Sequence, residues 1–393
     1  SVTKEYYLND EGNQINLLAR SIQARYYELY EGDSVLPEGG YKGQYVYDIA
    51  KELSNKYGDS LVERTDAEEI FMSFGVKCIM EMIEKDLSDF GVNFDSFYSQ
   101  AEMSKSGKVE KSLKKLKSKG LTYEKDGALW FESTKFGDDK DRVLRKSDGA
   151  YTYLTPDIAY HEEKYKRGYD WLIDMWGPDH HGYIPRIKAA SLANGRDKDA
   201  LTVLIIQLAT ISRGGKVLAM STREGEFITL REVLDEVGKD VARFFFLTRR
   251  CDSHLDFDLE LAKKQSNDNP VYYIQYAHAR ICGILNNIGD SAKKLKIDKS
   301  DICLLKSKEE IDILKVLREF PAIVEWAGKS LEPHRVILYL MELAAVFHVF
   351  YTKHRVISDN PQLMNARLLL LKALKSIFSR SLALLGVSYP EKM

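Results

Sequence analysis

The stretch Trp171-Leu172-Ile173-Asp174-Met175-Trp176-Gly177-Pro178-Asp179-His180-His181-Gly182 decides how the chain is read. Its first half is a short apolar run suited to a buried strand. Gly177-Pro178 ends that run, and the following residues open a helix predicted over 183–193. A second apolar strand is predicted over 202–206. Strand, loop, helix, strand is the order of a parallel sheet whose ligands settle at the carboxyl ends of its strands. Gly177, Asp179 and His180 stand at such an end. Glycine admits a ligand close to the backbone, a carboxylate accepts from both ribose hydroxyls, and a helix N-terminus favours phosphate. By pattern alone, an ordinary β–α turn explains these residues equally well. A metal reading of His180-His181 is weak, because adjacent side chains diverge and no third ligand stands at helical spacing.

Outward from this core, residues 2–8 read as a strand, 14–31 as a helix, and 40–119 as charged, helical sequence. Residues 120–145 form a strand-rich excursion around Ala128-Leu129-Trp130-Phe131. The lysines from 105 to 119 make a basic helical stretch, which is more often a solvated face than an RNA contact. Beyond residue 261 the strand signals stop. Asn269-Pro270 breaks the chain, and amphipathic helices are predicted over 272–288, 311–326, 333–354 and 363–385. That is an all-helical second domain. The expected division is 1–262 and 263–393, with an insertion over about 33–150.

A chain of 393 residues exceeds what one core usually supports, and 30% charged with 44% apolar residues is a globular profile. A net charge of −2 argues against indiscriminate coating of nucleic acid and leaves room for a local basic face. Cys78, Cys251, Cys282 and Cys303 form no C-x-x-C pair, which favours reduced thiols in a cytoplasmic chain. No apolar run reads as long enough to cross a bilayer.

Three further segments bear on chemistry. Tyr153 and Asp157 stand four apart around Pro156, so a helix starting there projects both side chains the same way. A carboxylate beside a phenol suits a guanidinium; the plainer reading of Asp157 is a capping carboxylate. Met220-Ser221-Thr222-Arg223 follows Gly214-Gly215-Lys216 and suits a loop closing over phosphates, or simply a solvated loop. Tyr272, Tyr273, Tyr276 and Arg280 mix aromatic and basic groups on one helix, a pattern fit for unstacked RNA bases or for a core stripe. Glu102-Met103-Ser104-Lys105-Ser106, although close to K-M-S-K-S, precedes the nucleotide-type strand and is rejected as a signature loop.

Taken together, Glu5 to Gln14, Phe136 to Leu144, Tyr153 to Tyr160, Gly177 to Tyr183, Met220 to Leu230, Asp252 to Asp258, Asn269-Pro270, Gln275 to Arg280 and the ending Pro390-Glu391-Lys392-Met393 resemble the arginyl-tRNA synthetases, class I aminoacyl-tRNA synthetases. The resemblance runs nearly end to end. It implies a Rossmann-type α/β catalytic domain followed by an all-α anticodon-binding bundle. The implied activity is ATP-dependent activation of L-arginine and its transfer to tRNA(Arg), with ATP and Mg²⁺ as the substrate complex and no tightly bound cofactor. The resemblance places Tyr153 and Asp157 in the arginine pocket, and Gly177, Asp179, His180 and Met220 at ATP. Met220 to Arg223 match the family's second signature loop, where Ala219 replaces the usual leading lysine, so that Lys216 or Arg223 supplies the charge. Tyr273, Tyr276, Arg280 and Met393 are expected to meet tRNA. The family's H-x-G-H signature is expected upstream of Ser1. A chain without it is, on the alternative reading, a tRNA-binding fragment that does no chemistry. A monomer free of membranes is expected.

Overall fold

The computed structural model describes residues 1–32, 34–218, 228–266, 268–288 and 301–393. Its described residues fall into two compact units, 1–88 with 92–208, and 89–91 with 209–218 and 228–393.

In the first unit, strand β1 (Glu5–Leu8) leads into helices α1 (Asn13–Glu31), α2 (Gln44–Tyr57) and α3 (Ala67–Phe90), the last two residues of which count with the second unit. Apolar residues three and four apart on these helices meet: Ile22, Tyr26, Val46, Leu53 and Phe71 are buried together. Strand β2 (Ser96–Ser99) then pairs parallel with β1, Glu5 opposite Ser96. Helices α4 (Gln100–Lys105) and α5 (Lys108–Ser118) follow. The basic stretch is an amphipathic helix: Val109, Leu113 and Leu116 are buried, while Lys111, Lys114 and Lys117 face solvent. Met103 of the rejected signature-like segment is buried in α4. The strand-rich excursion is an antiparallel meander of β3 (Thr122–Lys125), β4 (Ala128–Phe131) and β5 (Arg142–Arg145).

The decisive stretch folds as its pattern predicts. Helix α6 (Leu154–Lys166) precedes β6 (Leu172–Trp176), a 3-10 turn over Pro178–Tyr183, helix α7 (Ile184–Ala193) and β7 (Leu201–Ile205). Strands β6 and β7 run parallel from Leu172 opposite Leu201 to Trp176 opposite Ile205. Leu154, Ile158 and Tyr165 of α6 pack in one core with Leu172 and Leu201, the first residues of the two strands, and with Ile187 and Ala190 of α7. Among the described residues, β1–β2 and β6–β7 are separate hydrogen-bonded pairs, and β2 lies within a stretch that the sequence pattern reads as helical.

The second unit contains β8 (Ala209–Arg213), β9 (Lys216–Val217), α8 (Leu230–Val237), α9 (Lys239–Phe246), β10 (Leu255–Asp258) and α10 (Leu259–Lys263). Strand β10 lies parallel to β8. A capping box of Thr229 and Glu232 starts α8. Helices α11 (Pro270–Asn287), α12 (Lys308–Ser330), α13 (His334–Lys353) and α14 (Pro361–Leu385) complete it. Asn269 caps α11 by accepting from Val271 N, and Pro270 takes the first helical position, where no donor is needed.

One sequence expectation requires correction. Helix α13 is long and apolar enough, by length and composition, to cross a membrane. One face of it is core: Val336, Ile337, Leu340, Leu343, Ala344, Phe347 and Phe350 are buried in the helical core, whereas Leu338 and Val349 are exposed.

Candidate active site

Helix α6 begins at a proline-bearing first turn and carries Asp157 there, with the Asp157 amide donating to the Tyr153 carbonyl at 3.4 Å. The Asp157 side chain does not cap the helix. Its Oδ2 accepts a hydrogen bond of 2.6 Å from the Tyr183 hydroxyl, the last residue of the turn after β6. The carboxylate on α6 and the loop at the end of β6 are therefore joined directly. Burial pushes the Asp157 carboxyl above the ordinary aspartate range, with the Tyr183 hydrogen bond pulling the other way. Burial and the nearby Asp157 charge push the Tyr183 phenol upward as well.

One turn further along α6, His161 stands with Nδ1 2.7 Å from the Asp157 carbonyl oxygen and Nε2 2.6 Å from Asp174 Oδ2. Both neighbours are acceptors, so a ring carrying protons on both nitrogens satisfies both. Lys164 donates to the other oxygen of Asp174 at 2.9 Å. Asp174 sits in the middle of β6. Burial opposes its ionisation, yet the charges and hydrogen bonds of His161 and Lys164 hold its carboxyl well below the usual range. These contacts clamp α6 to β6 through charge.

A second anchor ties α6 to β1. Glu5 accepts from Tyr160 at 2.6 Å and from Arg167 at 2.6 and 2.8 Å. Against the effect of burial, the Arg167 and Tyr160 hydrogen bonds bring its carboxyl down to about 2. The rings of Tyr7 and Tyr98 each lie 4.7 Å from that of Tyr160.

The nucleotide-type loop is more open. Gly177 has an extended backbone, and the exposed Asp179 carboxylate folds back over it, with Oδ1 2.7 Å from where a Cβ would stand. The Asp179 side chain is 78% exposed and its Oδ2 lies 3.4 Å from His180 Nε2. The His180 ring meets Trp176 edge-on at 6.1 Å, and Tyr183 does so at 5.7 Å.

Asp157 and the 177–183 loop are thus brought together, with Asp179 and His180 on the same loop. Tyr153 is 85% exposed and stands outside these contacts. Lys216 is exposed in β9, within the second unit. Met220, Ser221, Thr222 and Arg223 lie outside the described residues. Sequence reasoning missed Tyr183, His161, Lys164 and Asp174. Two signals were available: His161 and Lys164 follow Asp157 at i+4 and i+7, and Asp174 is a charge inside an apolar strand.

In the second unit, the predicted aromatic and basic residues share one region of α11. Arg280 lies between the rings of Tyr276 and Tyr351, 4.2 and 4.6 Å from their centres, and donates to the Tyr276 hydroxyl at 2.9 Å. Tyr272 stacks on Tyr276 at 5.8 Å, whereas the Tyr273 ring turns to His348 at 4.5 Å. Met393 is 51% exposed. Gln275 and His278, from the same stretch, have a different task. They hold the chain end, through the carbonyls of Ser388 at 2.9 Å and Pro390 at 3.0 Å. Segment 136–144 is also architectural: Asp138 is buried and takes a two-bond fork from Arg142, both bonds 2.8 Å.

Residues 1–247 match the model of the class I (R) tRNA synthetase catalytic domain, and residues 274–393 that of the DALR anticodon-binding domain. Curated arginine–tRNA ligases of Syntrophotalea carbinolica and Bacillus subtilis are each 48% identical to this chain over its whole length, which covers 71% of theirs. The chain belongs to the arginyl-tRNA synthetases. A solved structure described as an arginyl-tRNA synthetase of Campylobacter jejuni is 34% identical and superposes with a TM-score of 0.89 over all of this chain and 85% of that one. The Thermus thermophilus arginyl-tRNA synthetase shares the fold at a TM-score of 0.77 and 19% identity, over all of this chain and 76% of that one. The α/β part of this synthetase chain is accordingly a class I catalytic domain, and the helical part an anticodon-binding domain of the DALR type.

Proposed function

We infer that this chain works as an arginine–tRNA ligase, activating L-arginine with ATP to the adenylate and passing arginine to tRNA(Arg). The carrying observation is Asp157. Among the described residues its carboxylate has no lysine or arginine at ion-pair distance, its hydrogen-bond partner is a phenol, and burial raises the cost of ionising it. A guanidinium supplies the missing cation in a planar fork of donors.

The Asp157 carboxylate binds the substrate guanidinium and Tyr153 closes over it from the exposed side. Gly177 lets ATP approach the backbone, Asp179 accepts from its ribose and His180 flanks it. Met220, Ser221, Thr222 and Arg223 meet the phosphates of ATP, Arg223 and Lys216 neutralise their charge, and Mg²⁺ enters with ATP. The carboxylate of arginine attacks the α-phosphorus, pyrophosphate departs, and these side chains act by positioning and charge rather than as nucleophiles. Tyr273, Tyr276, Arg280 and Met393 take the tRNA, on a domain running from 263 to 393 after a catalytic domain of 1–262 with its insertion at about 33–150. The working form is a cytoplasmic monomer that needs no tightly bound cofactor.

The test is arginine-dependent ATP–pyrophosphate exchange. Asp157→Ala is expected to weaken arginine by about 3–5 kcal/mol, the loss that follows removal of one partner of a buried charge pair. An unchanged KM for arginine would end this reading.

A further inference from the structure

Asp157 is held at two points, and only one is a side-chain contact. Its carbonyl is fixed by His161, whose other nitrogen is anchored on Asp174. Its Oδ2 is fixed by the Tyr183 hydroxyl at 2.6 Å, and Oδ1 accepts no hydrogen bond among the described residues. The phenol therefore selects the rotamer in which one oxygen is taken and the other is left to a ligand. Tyr183 is itself braced. Arg186 stacks over its ring at 4.9 Å, and Trp176 meets the ring edge-on at 5.7 Å.

We propose that Tyr183 is a positioning residue for arginine recognition, presenting the ionised Asp157 carboxylate to the guanidinium and tying that pocket to the 177–183 loop. The proposal rests on the reading of Asp157 as the guanidinium's partner. It adds that the occupant of the loop and the occupant of the pocket act on one another through a single hydrogen bond. A loop that moves to receive a nucleotide carries Tyr183 with it and changes how Asp157 is offered.

The same bond sets a proton equilibrium. Asp157 is faced by Tyr183 from the loop, by Tyr7 from β1, by His161 and Lys164 from α6 and by Asp174 from β6; Arg186 lies behind the Tyr183 ring. Of these, Tyr183 donates to the carboxylate itself. A donor to the charged form favours that form, so removing it raises the pH below which Asp157 takes up a proton and releases arginine.

Two measurements on the full chain test this. Arginine is titrated calorimetrically into wild type, Tyr183→Phe and Asp157→Asn between pH 5 and 8. In parallel, the Asp157 carboxyl carbon is followed by NMR in the ligand-free wild type and Tyr183→Phe proteins, with Asp157→Asn assigning the signal. Tyr183→Phe is expected to weaken arginine about tenfold at pH 7, the effect of losing a hydrogen bond to a charged group. It should also move the acidic limb and the carboxyl titration upward by roughly one pH unit. A carboxyl titration that stays in place overturns the proposal, whatever arginine does. A loss of affinity equal at every pH, with the limb unmoved, overturns it too, because that is what loosened packing alone would produce. Wild-type affinity in Asp157→Asn would instead overturn the assignment of the pocket, while a shifted carboxyl titration would still support the Tyr183 bond.

Discussion

The two units bury different things. Around α6, the first unit hides ionised groups: Glu162 and Lys164 are buried, and Glu5, Asp157 and Asp174 are largely covered. The interior of the second unit is chiefly aliphatic and aromatic, with Ile274, Leu343, Phe347, Leu371 and Phe378 fully enclosed, beside a covered ion pair, Glu310 with Arg367 at 2.8 Å. Its buried polar groups are mostly caps and latches, Asn269, Gln275 and His278 among them. Apolar packing needs no partner and tolerates any pH. A buried charge is expensive unless its counter-charge is placed well, so it persists where a partner is fixed beside it, as for Asp138 and Arg142, or where chemistry requires it. The contrast separates a part of the chain with charged groups inside it from a part whose interior chiefly holds shape and whose proposed tRNA contacts lie on its aromatic and basic face.

The largest expected effect probes the apolar side. Phe347→Ala empties a fully enclosed site and should cost about 3–5 kcal/mol. Denaturant unfolding of the helical unit measures it, and the deficit should be the same at pH 5 and pH 8. A deficit that varied with pH would blur the distinction between the units.

Next comes the charged side. Asp174→Ala removes the carboxylate that pairs His161 Nε2 and Lys164, a loss of roughly 3 kcal/mol at neutral pH. Asp174 and Glu5 have folded-state values below their unfolded ones, so their contribution is present above the unfolded values and disappears as pH falls through the folded ones. For Glu5 that window runs from 4.5 down to about 2. Asp174→Ala should accordingly lose less than wild type on acidification. Equal acid sensitivity in a thermal-melt series would show that the clamp contributes little.

The smallest effect has the opposite sign. Asp157 is raised in the folded state, so the stability tied to its protonated form is present below its unfolded value and lost as pH rises through its folded one. Asp157→Asn keeps an acceptor for Tyr183 and removes that loss. Its melting temperature at pH 7 should exceed wild type by about 2 °C, the scale that a few tenths to 1 kcal/mol produces in a domain of this size. The gain should vanish near pH 4. A variant that melts lower than wild type at pH 7 would mean that the Asp157 charge stabilises the free protein after all.

Much of this fold is legible in the residues alone. The strand–loop–helix–strand unit, the meander, α5 and, among the described residues, the four long helices after residue 269 carry periodicities that their burial follows. Asp157 is legible as a chemical group because its spacing from Tyr153 and Pro156 is local. Its partner is not, since Tyr183 lies 26 residues away and the bond between them depends on where the β6 turn ends. Tyr153 illustrates the reverse: helical spacing sets its direction relative to Asp157 but carries no information about cover, and the ring is 85% exposed. Gln275 and His278 look like members of an RNA-facing stripe, and only the path of the chain end shows that they are its latch.

Arg243 is a small feature of the second unit with a wide reach. Its guanidinium donates to the carbonyls of Phe90, Gly91 and Leu385, and a side chain on Gly386 would collide with it at 2.7 Å. Three stretches separated by more than a hundred residues thus converge on one cation. The carbonyls of Phe90 and Gly91 are made before Arg243 and that of Leu385 more than a hundred residues after it, so the set of partners is complete only once the chain has grown past residue 385. Contacts of such long range form slowly because the loop must close before they repay its entropy. A nascent chain stalled before residue 385 would therefore leave this set incomplete and the unit more open to proteases, and the carbonyl of Leu385 is the catch that closes it.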